Sequence, residues 1–335
     1  MNIIYILNIS ESFIYFTENT ENHFWNLIYK RKRNLFMKTL LRYAGGKSKA
    51  IKQITPFVEK YDKIVSPFIG GGSLEVHWSG NLNKEVVGYD VFDVLVNFWN
   101  ILLNKPKELY NELLKIQPTD SEYIRIKEIL MCLDKTQEML KDWNTDHYKR
   151  ENIIKLDDIK LAAYYYFNHN CSYGPGYLGW GSSVYLNDKK WRSMIDKIKD
   201  FKCDNLKVEQ LPFEKSIIKH KNDFLYLDPP YFLDKDSDNK MHKGMYPMKN
   251  IDVHHSGFDH ELLRDLLLSH NGDFVLSYNN CETIREYYKD FDFYFPEWNY
   301  SMSNGEKRIG KNRIELNNSE VVKKSHEILI VKKKD

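Results

Sequence analysis

The stretch that decides the fold is NDFLYLDPPY, residues 222–231. Phe224 to Leu227 form a short apolar run rich in strand-forming residues, which predicts a buried β-strand. Pro229 cannot donate to a sheet ladder, so we expect this strand to end at Asp228. Open α/β sheets bind their ligands at the carboxyl ends of the strands. The stretch therefore predicts an α/β fold with a ligand site at Asp228.

The turn that follows this strand suits a planar amino group. Pro229 and Pro230 stiffen the backbone of the turn. They are expected to hold the Asp228 carboxylate, the Pro229 carbonyl and the Tyr231 ring in one geometry. Two acceptors beside an aromatic ring match a group that has two N–H donors and a π face. An ordinary strand-to-turn junction is the alternative, and the motif alone leaves it open.

The composition indicates a folded intracellular protein without a metal site or a disulfide framework. The 335 residues suffice for one large domain with an insertion or for two smaller domains. With a formal net charge of +2, affinity for nucleic acid must come from local basic patches. The four cysteines form no Cys-x-x-Cys pair. Neither a membrane span nor a signal peptide is recognisable, so we expect a soluble cytoplasmic protein.

The first glycine-rich turn is YAGGK, residues 43–47, which precedes an amphipathic stretch from Ala50 to Lys60. A P-loop would need a glycine where Leu41 stands, so we reject that interpretation. Two adjacent glycines ahead of a helix let the backbone approach a ligand closely. The side chain of Lys47 is long enough to reach an anionic group on such a ligand. We therefore expect this turn to contribute to a binding site.

A second glycine-rich turn lies in IVSPFIGGGS, residues 64–73, which predicts a strand, a tight turn and a helix. Residues 85–90 predict another strand that ends at Asp90, about 20 residues after Gly70. This order is typical of adenosine binding, in which the acid takes the ribose hydroxyls. Dinucleotide binding would need a third glycine where Glu75 stands. S-adenosylmethionine has adenosine but no pyrophosphate, and it is therefore the candidate ligand.

Residues 91–160 have a helical periodicity that predicts core packing. Residues 164–181, YYYFNHNCSYGPGYLGWG, differ in kind, because their glycines predict a loop. Asparagine, histidine and aromatic side chains can read base edges and stack on bases, whereas a purely structural loop is the alternative. The candidates for base contact are Asn168, His169, Asn170 and Tyr173, and those for phosphate contact are Lys189, Lys190 and Arg192.

The rest of the chain predicts further strands and two long loops. The predicted strands are residues 206–209, 274–279, 291–295 and 328–331. The polar segment 232–257 predicts a lid or a binding loop. The basic segment 300–316 predicts a hairpin loop that contacts phosphates. Its candidates for that contact are Lys307, Arg308, Lys311 and Arg313.

The order of these motifs resembles that of Dam-like DNA adenine methyltransferases. The two glycine turns, Asp90 and the Asp-Pro-Pro-Tyr turn at 228–231 follow one another along the chain. The resemblance is to the group whose cofactor motifs precede the target-recognition region and whose Asp-Pro-Pro-Tyr motif follows it. It covers residues 38–333, whereas residues 1–36 have no counterpart.

This resemblance implies a Rossmann-like α/β methyltransferase sheet that binds S-adenosylmethionine, with an inserted, mainly helical target-recognition domain. It divides the chain into an N-terminal extension, 1–36, a catalytic domain, 37–100 and 205–335, and a recognition domain, 101–204. The implied catalytic positions are Asp228, Pro229, Pro230 and Tyr231. The implied cofactor-binding positions are Tyr43, Ala44, Gly45, Gly46, Lys47, Pro67, Phe68, Gly70, Gly72, Ser73, Asp90, Phe213 and Asp228.

Two positions depart from the pattern of that family. Tyr43 stands where many members have tryptophan, which is a mild change because both residues offer a flat ring. Pro212 stands where many members have an acid near the adenine of the cofactor. Glu209 and Gln210 are the candidates to replace that acid.

The implied reaction moves a methyl group from S-adenosylmethionine to the exocyclic amino nitrogen of adenine in double-stranded DNA, after the base is flipped out. Cytosine-N4 methylation is one alternative, because cytosine presents the same amino group. A catalytically silent DNA-binding protein with the same fold is another. Ring-carbon methylation of cytosine needs a nucleophilic cysteine that usually follows a proline. None of the four cysteines of this chain follows a proline. The resemblance suggests a companion restriction endonuclease as a second partner, and no metal is expected.

Overall fold

The computed structural model describes residues 5–9, 12–16, 37–43, 45–141, 156–174, 176–232, 258–296 and 327–333. The contacts divide the chain into two compact units, Met1–Lys38 and Thr39–Asp335. In the first unit, strands β1 (Tyr5–Ile9) and β2 (Ser12–Phe16) pair in antiparallel fashion. The basic segment 300–316 and residues 233–257 of the polar segment lie outside the described residues.

The second unit is built on a seven-stranded sheet. Its strands are β3 (Lys63–Ser66), β4 (Glu85–Asp90), β5 (Leu206–Gln210), β6 (Leu225–Leu227), β7 (Phe274–Asn279), β8 (Asp292–Tyr294) and β9 (Glu327–Lys332). They lie in the order β5-β4-β3-β6-β7-β9-β8. The first five are parallel to one another, whereas β9 is antiparallel to both β7 and β8. The result is a mostly parallel sheet with an antiparallel edge.

The described residues of this unit also form ten α-helices. They are α1 (Ile51–Val58), α2 (Ser73–Leu82), α3 (Asp93–Asn104), α4 (Pro106–Leu113), α5 (Asp120–Lys141), α6 (Asp158–Asn170), α7 (Asp188–Ile195), α8 (Phe213–Lys219), α9 (His260–Ser269) and α10 (Glu282–Tyr287). A 3₁₀ turn, Lys47–Lys49, precedes α1. Helices α3 to α7 lie between β4 and β5 in the chain, and α6 packs against α3, α4 and α5.

The strand order reverses between β3 and β6. From β3 the chain proceeds outward through β4 and β5, whereas from β6 it proceeds to β7 on the other side. Val65 of β3 pairs with Leu225 of β6, so the carboxyl ends of these two strands lie side by side. A crevice for ligands opens at such a switch point, because the following loops diverge. This topology therefore brings the glycine turn after β3 next to the Asp-Pro-Pro-Tyr turn after β6.

The central strands are held in place by apolar side chains on both faces. All three residues of β6 are buried, as are five of the six residues in β7 and in β9. Burying a branched or aromatic side chain contributes about 1.5–3 kcal/mol, so a continuous apolar strand is strongly driven into the core. The turns at the strand ends thus follow strands that are buried in the core.

The predicted α/β fold is confirmed, and the strand predictions differ from the structure only at their ends. The prediction of a loop from residue 164 was wrong, because residues 164–170 belong to α6. The side chain of Asp157 caps this helix by accepting a hydrogen bond from the Lys160 N–H at 2.8 Å. Stacking of Tyr166 on Phe98 of α3, with ring centroids 5.5 Å apart, adds tertiary support that outweighs weak local propensity.

Residues 39–335 cluster as one compact unit. The division of this unit at residues 101 and 204 stays a prediction. Among the helices that the structure describes, none is long and apolar enough to cross a membrane.

Candidate active site at the carboxyl edge of the sheet

The site is built around an ion pair between Lys47 and Asp228, which are 181 positions apart in the sequence. Asp228 directly follows β6, and Lys47 opens the 3₁₀ turn that packs against α2. The Nζ atom of Lys47 donates to both carboxylate oxygens of Asp228 at 2.7 Å. Only 4% of the lysine side chain and 22% of the aspartate side chain are exposed. Each charge needs the other, because an uncompensated buried charge is strongly destabilising.

Lys47 contacts three further groups around this pair. Its Nζ atom donates to the hydroxyl of Tyr231 and to the carbonyl of Gly45, each at 3.1 Å. A carboxylate oxygen of Glu327, the first residue of β9, lies 3.9 Å from the same Nζ atom. The Tyr231 hydroxyl also interacts with Glu327. Sequence analysis missed Glu327, whose only signal was an acid at the start of an apolar run.

Burial changes the ionisation of both acids beside Lys47. It raises the pKa of Asp228, and the lysine ammonium opposes that shift. Burial likewise raises the pKa of Glu327 to about 7, again against the effect of Lys47. Lys47 therefore faces two acids, Asp228 and Glu327, and Glu327 changes its charge near neutral pH.

A third acid, Glu75, lies behind the pair in the first turn of α2. It is 3% exposed, and its Oε1 atom accepts a hydrogen bond from the Ser66 hydroxyl at 2.7 Å. Burial raises the pKa of Glu75 to about 7, the Ser66 hydrogen bond opposes this, and the charge of Asp228 adds to it. In the part of the chain that the structure describes, no three acids, histidines or cysteines are placed to hold a metal ion.

Side chains pack against the glycine turn after β3 from both sides. Gly72 has a φ of 61°, the left-handed conformation that favours glycine. A Cβ atom at Gly71 would lie 2.3 Å from the Cβ of Tyr43, so the tyrosine packs directly on the backbone of the turn. From the other side, the indole N–H of Trp99 in α3 donates to the Gly70 carbonyl at 3.0 Å. Trp99 was not among the predicted residues, because its spacing marks it only as helix core.

Asp90 orients the same turn. One of its carboxylate oxygens accepts a hydrogen bond from the Gly70 N–H at 3.1 Å, and the other from the Phe92 N–H at 3.0 Å. The assignment of Asp90 to ribose hydroxyls stays a prediction, to which the structure adds a role in holding the turn.

Glu209 and Gln210, the two candidates to replace the acid that this chain lacks at Pro212, differ in their surroundings. Gln210 pairs in register with Asp90 at the end of β5. Its amide donates to the Val91 carbonyl at 3.2 Å. Glu209 instead forms a 2.8 Å ion pair with Lys219. The charge of Glu209 is therefore already compensated.

Three phenylalanines form an aromatic group that packs on the sheet core. The ring centroids of Phe68 and Phe213 are 5.6 Å apart, and those of Phe68 and Phe258 are 5.7 Å apart. Phe213 and Phe258 are 5.0 Å apart, and all three rings are only partly buried. Such a group suits a flat ring such as adenine. Phe258 was missed because it directly follows the polar segment 232–257, where no periodicity marks it.

The remaining predicted positions of the glycine turns are also found at this edge. The Gly46 N–H closes the first turn by donating to the Tyr43 carbonyl at 3.1 Å. Ser73 opens α2, and its hydroxyl accepts a hydrogen bond from Ser48 at 3.1 Å. The prolines at the strand ends are buried Pro67, buried Pro229 and half-buried Pro230. Ala44 lies outside the described residues.

The predicted base-contacting residues Asn168, His169 and Asn170 are buried at the end of α6, with 0%, 3% and 0% exposed. The Asn168 side chain accepts a hydrogen bond from the Leu178 N–H at 2.7 Å. The Asn170 side chain accepts one from the Arg42 N–H at 2.8 Å. In this structure the side chains of Asn168 and Asn170 thus bind the protein's own backbone, and base contact by the three residues stays a prediction.

His169 links α6 to the first glycine turn. Its ring stacks on that of Tyr43, with centroids 5.4 Å apart and planes inclined by 15°. Burial lowers the pKa of His169 to about 3, and the nearby Arg42 charge adds to this. The imidazole is thus neutral at physiological pH and packs as an aromatic ring.

Other predicted DNA-contacting residues do face solvent. Tyr173 is 69% exposed, and Trp180, which was not singled out, is 74% exposed. The Tyr173 N–H donates to the Trp180 carbonyl at 2.6 Å, so both residues stand on one hairpin-like loop after α6. The exposed cations of α7 are Lys189, Lys190 and Arg192. The predicted Lys307, Arg308, Lys311 and Arg313 lie outside the described residues.

The switch-point sheet, the glycine turn with its strand-end acid and the Asp-Pro-Pro-Tyr turn define an α/β methyltransferase. Residues 43–302 match the model of the D12 class of N6 adenine-specific DNA methyltransferases. The chain belongs to this family and is an adenine-specific DNA methyltransferase. The predicted family and activity are thereby confirmed, and the match favours adenine over the cytosine alternative.

Two relatives support the same assignment. Over 306 residues the chain is 27% identical to the Type II methyltransferase M1.LlaDCHI of Lactococcus lactis subsp. cremoris. This alignment covers 86% of this chain and 96% of the relative. Over 292 residues it is 23% identical to the Type II methyltransferase M.FokI of Planomicrobium okeanokoites. The second alignment covers 82% of this chain and 41% of M.FokI.

The buried acid Glu75 makes stability depend on pH. Its pKa in the folded protein, about 7, exceeds its ordinary value, so the folded state binds this proton more tightly than the unfolded state. Its contribution to stability is therefore present at low pH and is lost as the pH rises through about 7. We expect Glu75→Gln to raise the melting temperature at pH 8.5 by several degrees and to change it little at pH 5.

Circular dichroism during heating measures both effects. The exposed Glu59→Gln is the matched control and should shift the melting temperature equally at the two pH values. An equal shift for Glu75→Gln as well would contradict the assignment of a raised pKa.

The buried asparagine at the end of α6 makes a second prediction. We expect Asn168→Ala to lower the free energy of unfolding by about 1–3 kcal/mol, because the buried Leu178 N–H loses its acceptor. Urea unfolding measures the change. The exposed Tyr173→Ala is the control and should leave stability unchanged. Wild-type stability of Asn168→Ala would contradict the structural role of this side chain.

Proposed function

We propose that this chain transfers a methyl group from S-adenosylmethionine to the exocyclic amino nitrogen of adenine in double-stranded DNA, with the base flipped out of the helix. The observation that carries the proposal is the Asp228 carboxylate at the end of β6, held by Lys47 at 2.7 Å beside the Tyr231 ring. An anchored carboxylate next to a proline carbonyl offers two acceptors for one amino group.

The residues at the sheet edge fit the chemistry of S-adenosylmethionine. Its adenine ring matches the group of Phe68, Phe213 and Phe258. Its ribose hydroxyls match the carboxylate of Asp90 at the end of β4. Its amino and carboxylate groups match the opposite charges of the Lys47–Asp228 pair. When bound, the cofactor supplies an electrophilic methyl carbon on a sulfonium. The further cofactor positions are Tyr43, Ala44, Gly45, Gly46, Pro67, Gly70, Gly72 and Ser73.

The residues of the chain then act on the amino group. The lone pair of the adenine amino nitrogen is delocalised into the ring, which makes the nitrogen a poor nucleophile. Hydrogen bonds to Asp228 and to the Pro229 carbonyl favour the pyramidal form and stabilise the positive charge that develops. Lys47 uses lone pairs on both oxygens of Asp228, and each oxygen keeps another for an amino N–H. Lys47 thus fixes the direction of the acceptor before the substrate arrives.

Flipping a base out of the duplex costs a few kcal/mol. Stacking of the base on an aromatic ring such as Tyr231 returns about 1–3 kcal/mol of that cost. The half-buried Tyr231 ring has its hydroxyl anchored by Lys47, which limits its rotation. A ring held in place at the strand end supports this role, because little side-chain freedom remains to be lost.

DNA contact is proposed for surface groups of residues 101–204 and for the basic segment 300–316. The supporting observations are the exposure of Tyr173 and Trp180 and the exposed cations of α7. Phosphate contacts by such cations position the protein without reading sequence. The printed names of the relatives, Type II methyltransferases, support a restriction-modification setting with a companion endonuclease. A DNA substrate also supports a cytoplasmic location.

Changing the acceptor tests the proposed chemistry. We expect Asp228→Ala and Asp228→Asn to lower the rate of methyl transfer by about a hundred-fold or more, because an ionised acceptor aimed at the amino group is lost. The measurement is transfer of a labelled methyl group from S-adenosylmethionine to DNA, with the product identified as N6-methyladenine. The exposed Asp290→Asn is the matched control. A folded Asp228→Ala protein with the normal rate would sink the assignment, and an inactive wild type would favour the silent DNA-binding alternative.

The N-terminal extension, residues 1–36, is proposed to be dispensable for methylation. The family match begins at residue 43, and Met1–Lys38 cluster as a unit of their own. We expect a chain that begins at Met37 to methylate DNA nearly as well as the full chain, measured by the same assay. A loss of about ten-fold, equivalent to about 1.4 kcal/mol in the barrier, would show that the extension takes part.

A further inference from the structure

A line of hydrogen-bonded groups leads from the active-site acid into the protein. Lys47 donates to Asp228 at 2.7 Å and to the Tyr231 hydroxyl at 3.1 Å. Glu327, whose side chain is 3% exposed, has a carboxylate oxygen 3.9 Å from the Nζ atom of Lys47 and interacts with the Tyr231 hydroxyl. The line joins polar groups that neighbour one another. A proton can therefore move along it without large displacement of any side chain.

Glu327 is enclosed at the inner end of this line. Among the described residues, the titratable or polar groups that face it include Lys47 of the 3₁₀ turn, Asp228 and Tyr231 after β6, Tyr226 of β6, and Ser277 of β7. The Ser277 hydroxyl lies 3.5 Å from the Glu327 carboxylate. Glu327 and Asp228 share the single positive charge of Lys47. A buried acid in that position binds a proton readily near neutral pH, consistent with its pKa of about 7.

Methylation of an amino group creates a need for such an acceptor. The methylated nitrogen carries a positive charge until one of its N–H protons leaves. Asp228 is the acid aimed at this nitrogen under the proposed function, on which this inference rests. If Asp228 kept the proton, it would enter the next cycle as a neutral group. We propose that Glu327 receives the proton through Lys47 and Tyr231, which returns Asp228 to its ionised form.

The transfer balances in protons and electrons. The N–H bond of the methylated amino group breaks, its electron pair stays on nitrogen, and the proton goes to Asp228. Tyr231 passes its hydroxyl proton to Glu327, and Lys47 gives one of its own protons to the Tyr231 oxygen. The lone pair freed on Lys47 then takes the proton from Asp228, and Glu327 later releases its proton to water. Glu327 reaches the reacting atoms only through other residues, so it is a positioning residue.

The pH dependence of kcat tests this role. Because Glu327 must be ionised to accept the proton, kcat of the wild type should rise with pH through about 7 and then level off. We expect Glu327→Gln to lower kcat at pH 8 by about a hundred-fold and to abolish this rise, with KM for DNA and for S-adenosylmethionine little changed. Glu327→Asp keeps a carboxyl group, so it should restore part of kcat at pH 8 and part of the rise of kcat with pH.

Two further variants separate the proton path from packing. Tyr231→Phe keeps the ring and removes the hydroxyl, so it should also abolish the rise. Ser277→Ala removes a hydroxyl that interacts with both Glu327 and Tyr231 but carries no proton in the path, so the rise should persist. Each variant is checked for folding by its melting temperature. If Glu327→Gln does not fold, Tyr231→Phe decides the question.

The outcomes are distinguishable from failure of the proposed function. A folded wild type that transfers no methyl group to DNA rejects the function itself. An active wild type whose rise with pH persists in Glu327→Gln, or in Tyr231→Phe when the first variant is unfolded, overturns only the role of Glu327. A changed KM with an unchanged rise would indicate packing alone and would also overturn it.

Discussion

The buried contact between Lys47 and Asp228 is the interaction on which the rest of the site depends. The lysine is only 4% exposed, so its charge cannot remain there without a carboxylate partner. The partner comes from the end of β6, whereas the lysine comes from a turn that packs on α2. The two elements must therefore be in place together. Once formed, the pair gives the acceptor a fixed direction, which is the condition for electrostatic stabilisation without reorganisation.

The same edge of the sheet is supported by helices α3 and α6. Trp99 of α3 holds the glycine turn through the Gly70 carbonyl, and His169 of α6 stacks on Tyr43, which covers that turn. The loop with exposed Tyr173 follows α6 directly. The region expected to contact DNA and the region expected to bind the cofactor thus share one packed support.

The charge of the site depends on pH. Glu75 and Glu327 are both buried, and burial raises the pKa of each to about 7. The net charge around Lys47 therefore changes within the physiological range of pH. A carboxylate that acts as an acceptor during methyl transfer must return to its ionised state, so neighbouring acids that titrate near neutrality are chemically suited to this place.

The sequence by itself determined the features that depend on neighbouring residues in the chain. A proline ends the strand at Asp228, glycines mark the turns, apolar runs mark the strands, and the order of these motifs identifies the family. Only the tertiary structure decided which distant groups meet: Lys47 with Asp228, 181 positions away, and Glu327 from the last strand. It also decided that Asn168 is buried and bonded to Leu178 rather than open to bases. The physical reason is that burial and ion pairing depend on how the strands and helices pack against one another, which no local pattern encodes.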